Sequence, residues 1–242
     1  MIDTIVLAGG KSFLPEKAKC KSLLLINSQP MVWYVLQELK CVNNIGKVVL
    51  VADKEVAEEV ENDYHLWVDS NSSIADNLLK GFEKTSSDYI LICSADIPLV
   101  KKDHIQWFID EGLRSGARVV MPYITKEIID KTYPGAKRTY VRLKDGLVTL
   151  GNIALVERNL LGEIKQLIKK ATDYRKNPLK IAMLVGYDIV ALYLWGLLSV
   201  KYIERKAYRL VKGPVRGLLC PYPEIGMDVD KVEDLEVVKR FI

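Results

Sequence analysis

The sequence predicts an α/β fold in which mostly parallel strands are joined by crossover helices. Three observations predict it. Short apolar runs alternate with amphipathic helical stretches from the first residues onward. The composition is that of an ordinary globular chain, with 49% apolar and 27% charged residues. The length, 242 residues, suits one α/β domain with an insertion.

In chain order, residues 5–8 read as a short buried strand, followed by a glycine-containing loop and a second apolar stretch over residues 21–26. Pro30 stands where a helix can begin, and Val32, Val35, Leu36 and Leu39 share one helical face. Residues 47–52 form the next strand, backed by a charged helix over 54–61. Ser73 followed by Asp76 resembles a helix cap, and Ile74, Leu78 and Phe82 then repeat every four residues. Residues 89–93 are a β-rich run ending at Ser94-Ala95-Asp96-Ile97-Pro98, and Ile105, Phe108 and Ile109 mark another amphipathic helix. Past Pro122 the pattern changes. Residues 140–143, the Asp145-Gly146 turn signal and Val148 predict a hairpin, and residues 152–156 another strand. Leu160, Leu161, Ile164, Leu167 and Ile168 form a helical stripe, and residues 180–211 read as a helical insertion. Strand-like 215–219 and a helix over 232–241 close the chain.

The formal net charge is +4, and the lysines and arginines are dispersed rather than interleaved with aromatics, so the surplus suits a phosphate-rich small substrate and not a nucleic acid. Cys20, Cys41, Cys93 and Cys220 form no C-x-x-C pair, and with only His65 and His104 available a zinc site is not expected. Residues 179–200 are strongly apolar, yet Lys180 and Asp188 interrupt them, which favours a buried helix or flap over a membrane span and leaves peripheral membrane contact open. The first apolar run begins almost at once, without a signal peptide before it, and the expected location is cytoplasmic.

Three motifs carry chemistry. Leu7-Ala8-Gly9-Gly10-Lys11-Ser12 leads into Lys21-Ser22-Leu23-Leu24-Leu25-Ile26: adjacent glycines after a strand let backbone N–H groups approach a triphosphate, and a lysine supplies countercharge. Asp96 lies just past the carboxyl end of a central strand, where it is either a metal ligand or a loop or N-cap carboxylate. Asp228 and Asp230 occur in Gly226-Met227-Asp228-Val229-Asp230, followed by Glu233 and Asp234, which read as first-turn helix carboxylates. Together these segments resemble the nucleotidyltransferase superfamily that includes molybdenum cofactor guanylyltransferases and sugar-phosphate nucleotidylyltransferases. The arginine usual in that family a few residues after the glycines is replaced by Phe13, Leu14 and Pro15; Lys11, Lys17 or Lys19 is available to supply charge there.

The resemblance implies a Rossmann-like mixed sheet of the nucleotide-diphospho-sugar transferase type, with the site at the carboxyl ends of its strands. It implies transfer of an NMP unit from an NTP to a phosphorylated small-molecule acceptor, with release of pyrophosphate. Lys21 and Asp96 would be catalytic, and Leu7, Ala8, Gly9, Gly10 and Lys21 would hold the nucleotide, with Asn71 and Ser73 at the base. Asp96 and Asp230 would hold Mg²⁺, with Asp228 a competing ligand. A simple capped loop accounts equally for Asn71 and Ser73. Gly151-Asn152-Ile153 resembles an acceptor-side element or is a turn entering a strand, and Arg138, Arg142 and Lys212 meet acceptor phosphate or form a solvated charged face. The insertion either covers the acceptor or forms a homodimer contact. The competing classes are a non-catalytic nucleotide-binding module and a glycosyltransferase that uses a preformed nucleotide sugar.

Overall fold

The computed structural model describes residues 1–70, 73–160 and 186–242. Its centre is a sheet of nine strands in the order β5-β4-β1-β6-β10-β7-β9-β8, with β11 on the other side of β7. The strands are β1 (Ile2–Leu7), β4 (Ile45–Ala52), β5 (Leu66–Asp69), β6 (Tyr89–Ser94), β7 (Val119–Thr125), β8 (Val141–Leu143), β9 (Gly146–Leu150), β10 (Ile153–Glu157) and β11 (Val215–Leu219). β5, β4, β1 and β6 are mutually parallel, β10 runs antiparallel to both β6 and β7, and β11 returns parallel to β7. Two short strands, β2 (Leu25–Ile26) and β3 (Gln29–Pro30), pair apart from this sheet.

The first strands read as unbroken apolar runs because each serves two cores. Along β1 and β4, Val6, Val48, Leu50 and Ala52 enter one apolar cluster while Ile5, Val49 and Val51 enter another on the opposite face. The first cluster receives α1 (Met31–Lys40) through Val32, Val35, Leu36 and Leu39, and α4 (Lys102–Arg114) through Ile105, Phe108 and Ile109. The second receives α3 (Ile74–Glu83) through Phe82. Asp3 fastens the start of β1: its carboxylate accepts the Lys47 amide at 2.9 Å and the Ser86 amide at 2.6 Å. Burial opposes the charge of Asp3, but these bonds and one from the Ser87 amide outweigh it and hold its pKa below the usual carboxylate value.

Several expectations are corrected. The apolar stretch over residues 21–26 is divided, with Lys21–Leu23 in a 3₁₀ turn before β2. In α3 Phe82 is buried and Leu78 packs against the second core as the repeat suggested, with Ala75 and Leu79 buried beside them, whereas Ile74 is half exposed. α2 is shorter than expected, Lys54–Glu59. Unanticipated elements are β5, β7 and the following α5 (Lys126–Thr132). Pro122 disguises β7, yet it sits where that strand passes from pairing with β10 at Val120 to pairing with β9 at Tyr123, so its missing N–H disrupts neither ladder. The hairpin is present as β8 and β9, and β10 is the strand expected after it.

Within the stretch read as an insertion, α6 (Tyr187–Leu194) and α7 (Val200–Val211) are helical. Residues 180–185, and Leu161, Ile164, Leu167 and Ile168 of the helical stripe, lie outside the described residues. α7 lies along the edge strand β11, where the Glu204 carboxylate accepts the outward Gly217 amide at 2.8 Å. The chain closes with α8 (Val232–Lys239). Among the described residues, no helix is long and apolar enough to cross a membrane.

Candidate active site

Three backbone links gather the motifs at the carboxyl ends of β1 and β6. The Ala95 amide donates to Leu7 O at 3.0 Å, the Val229 amide donates to Asp96 O at 2.9 Å, and the Lys21 amide donates to Gly10 O at 3.1 Å. Residues more than two hundred apart in sequence therefore share one cavity of about 480 Å³, lined by Leu7, Gly9, Gly10, Lys21, Asp96 and Asp230 together with Lys11, Ser12, Phe13, Ser22, Ile74 and Ser94. Gly10 has a φ of 138°, a conformation suited to glycine, and an added Cβ would meet nothing within 4 Å, so its backbone lies open to the cavity.

Lys21 is the hub. Its Nζ lies 2.5 Å from Asp96 Oδ2 and 2.6 Å from Asp230 Oδ1. Burial by itself would lower the pKa of Lys21, but the charge of Asp96 and the hydrogen bonds to Asp230 and Asp96 prevail and raise it, so the ammonium is charged at neutral pH. The Ser94 hydroxyl donates to Asp96 Oδ1 at 2.5 Å, which orients the other side of that carboxylate. Oxygen atoms from Asp96, Asp228 and Asp230 all lie within 4.8 Å of one another, a set of hard donors of the kind a divalent cation takes.

Other expected site residues are placed differently. Ala8 is buried beneath the loop rather than in the cavity wall, with its amide bonded to Val51 O and its carbonyl taken by the Ser22 hydroxyl. Ser73 caps α3, accepting the Asp76 amide at 3.5 Å, and its neighbour Ile74 is the residue that lines the cavity. Asn71 lies outside the described residues. Of the three lysines able to replace the absent arginine, Lys11 lines the cavity, whereas Lys19 pairs with Glu55 at 3.1 Å. Phe13 and Leu14 pack against the main core, which explains how an apolar pair stands there. The histidines serve the scaffold: His65 Nδ1 accepts the Val48 amide, and His104 Nδ1 accepts the Lys101 amide while its ring stacks on Tyr222.

A second cavity of about 340 Å³ adjoins the first through their common wall residue Asp230; it is lined by Arg138, Thr139, Val141, Thr149, Leu150, Asn152 and Asp228. Arg138 is neither solvated nor unpaired: its side chain is 8% exposed, and its guanidinium pairs with Asp228 and Asp234 and donates to Asp228 O at 2.8 Å. Asp234 in turn accepts the amides of Asp230 and Lys231, so a helix carboxylate expected only to complement a dipole sets the position of Asp230. Arg142 and Lys212 do not line this cavity. Asn152 is fixed by its backbone, donating to Ile225 O and accepting from the Ser94 amide, while a Cβ at Gly151 would lie 2.7 Å from both Ile225 and Pro122.

With a glycine loop, a lysine and an acidic set gathered at strand ends of a mixed sheet, the architecture is that of a nucleotide-handling transferase. The chain belongs to the family described as the MobA-like NTP transferase domain, whose model matches residues 4–179. It is similar in structure to a hypothetical transferase from Thermus thermophilus, with a TM-score of 0.88 and 32% identity over 97% of this chain and 99% of that one. It is 28% identical to the bifunctional protein GlmU of Thermodesulfovibrio yellowstonii over 78% of this chain, and spans 46% of that longer protein. It is 25% identical to a probable molybdenum cofactor guanylyltransferase of Thermococcus gammatolerans over 64% of this chain and 79% of that protein.

Proposed function

We propose that the chain is a Mg²⁺-dependent nucleotidyltransferase that moves an NMP unit from an NTP to a phosphorylated small molecule in the cytoplasm. The observation that carries this reading is the placement of Lys21 against both Asp96 and Asp230 in the wall of the glycine-loop cavity. In this reading residues 1–242 act as one nucleotidyltransferase unit, with 180–211 inserted beside the acceptor side.

The donor NTP would occupy the larger cavity, with the open backbone at Gly9 and Gly10 and the charges of Lys11 and Lys21 around its β- and γ-phosphates. The acceptor would occupy the smaller cavity, where the paired Arg138 carries a charge that needs no solvent to hold it in place. An acceptor phosphate oxygen forms a bond to the α-phosphorus as the bond to the β-phosphate bridging oxygen breaks, and pyrophosphate leaves opposite. Asp96 and Asp230, with Asp228 within reach, would hold Mg²⁺, which when bound neutralises charge on the α-phosphate. The chain's own contribution is positioning and fixed charge, so no protein nucleophile is required. Lys21, which neutralises Asp96 and Asp230, would lend its charge to the phosphates from the same wall of the cavity.

The test is pyrophosphate release from each of the four NTPs with Mg²⁺, against sugar phosphates and molybdopterin, with Asp96→Ala as the blank. Release that selects one base and disappears in the variant supports the proposal. NTP binding without release for any acceptor overturns it in favour of a non-catalytic nucleotide-binding module.

A further inference from the structure

The described part of the insertion is more apolar at its surface than the rest of the molecule needs. In α6 and the turn after it, Tyr187 is 70% exposed, Leu194 75%, Trp195 76% and Leu197 54%. Leu194, Trp195 and Leu197 form a ledge at the end of α6, which buries none of its residues fully, although Ile189 and Leu192 pack on Leu143, Val148 and Leu198. That packing seats the ledge on the β8–β9 hairpin: the Lys144 amide donates to Leu198 O at 2.7 Å, and Asp145 accepts the Val200 amide at 2.8 Å. The same hairpin supplies Val141, Thr149 and Leu150 to the wall of the smaller cavity. The ledge therefore stands beside that cavity.

Charge selects the occupant. Between residues 186 and 212 there are five basic side chains and two acidic ones, a surplus of three out of the net +4 of the whole chain. Both acids are engaged, Asp188 by Lys206 and Tyr202, and Glu204 by the Gly217 amide. Lys201, Arg205, Arg209 and Lys212 are exposed. A second copy of this chain, related by a two-fold axis, would set this basic surface against itself. An anionic lipid surface offers a place for both features at once, since aromatic and leucine side chains enter the headgroup boundary while neighbouring Lys and Arg meet lipid phosphates.

We propose that α6, the Leu194–Leu197 turn and the basic residues of α7 form a docking surface for an anionic membrane, which brings the smaller cavity to the lipid surface. The docking stands independently of the chemistry; that the docked cavity receives an acceptor there rests on the function proposed above.

The experiment is co-sedimentation of the purified full chain with phosphatidylcholine vesicles, with and without phosphatidylglycerol. The expected result is pelleting with the anionic vesicles alone, abolished by molar salt and reduced at least tenfold in a Leu194→Ser, Trp195→Ser double variant. That variant is expected to keep the wild-type circular dichroism and pyrophosphate release with a water-soluble acceptor, because neither residue lines a cavity described above. Equal recovery with both vesicle types, or none with either, overturns the proposal. A concentration-dependent dimer that the double variant dissolves, without vesicle binding, assigns the ledge to a second copy instead. Vesicle binding in a chain that releases no pyrophosphate would defeat the transferase reading while leaving the docking surface standing.

Discussion

Lys21 holds together two carboxylates that would otherwise repel each other, so its removal has a double effect. Lys21→Met is expected to lower kcat about 10²–10³-fold, the usual cost of losing one fixed stabilising charge, and to weaken NTP binding, as steady-state kinetics would show. A merely structural lysine would leave kcat intact in the folded variant. Asp3 makes a separate residue-scale prediction. Its pKa is lowered in the folded chain, so its stabilising contribution is present above the unfolded carboxylate pKa of about 3.9 and is lost as pH falls through the lower folded value. Asp3→Asn should lose about 1–3 kcal/mol near pH 6 and show a smaller further loss on acidification than the parent, measured by denaturant midpoints at several pH values. At this scale short motifs pointed to residues that the fold brings to one cavity, as for Gly9, Gly10, Lys21 and Asp96. The sequence named Arg138 but not its partners, which lie 90 and 96 residues away, and it was silent on the burial of Ala8, whose carbonyl is taken by the Ser22 hydroxyl.

Elements were legible where their period was unopposed. The face of α1 was read correctly because Val32, Val35, Leu36 and Leu39 meet one core and nothing else competes for them. The start and Phe82 face of α3 were read correctly and Ile74 was not, while Gly81, which carries no side chain to register in a hydrophobic pattern, lies against β1 and β4. A Cβ there would lie 2.9 Å from Ile5 Cγ2 and 3.2 Å from Val51 Cγ2. Gly81→Ala gains about 1 kcal/mol in helix propensity and costs about 1–3 kcal/mol in overpacking, so a net loss of about 1 kcal/mol is expected. Calorimetry checks it, and a raised Tm would show that α3 moves aside freely. β7 escaped notice for a different reason: whether Pro122 is harmful depends on which neighbour a strand has at that residue, and sequence pattern contains no neighbours.

On the scale of the whole molecule, the alternation of strands and helices made the α/β class readable, while the order of the sheet came from long-range pairing. β10, antiparallel between two strands that run the other way, marks the boundary between the parallel half of the sheet and the half that holds the β8–β9 hairpin. The Arg138 cluster spans that boundary, joining the segment before β8 to α8 and to the loop that carries Asp228 and Asp230. Arg138→Met would leave two carboxylates without their partner and is expected to cost about 3–5 kcal/mol, with the loss read from urea unfolding. The same variant carrying Asp234→Asn should recover part of it.

Glu204 gives the edge of the sheet a further meaning. By accepting the outward amide of Gly217 it occupies a bonding position that a strand from another molecule would need in order to continue the ladder. The carboxylate thus acts as a stopper against polymerisation, supplied by α7. Glu204→Ala should leave β11 paired to β7 while quickening the growth of light scattering on gentle heating, as molecules begin to add to one another edge to edge.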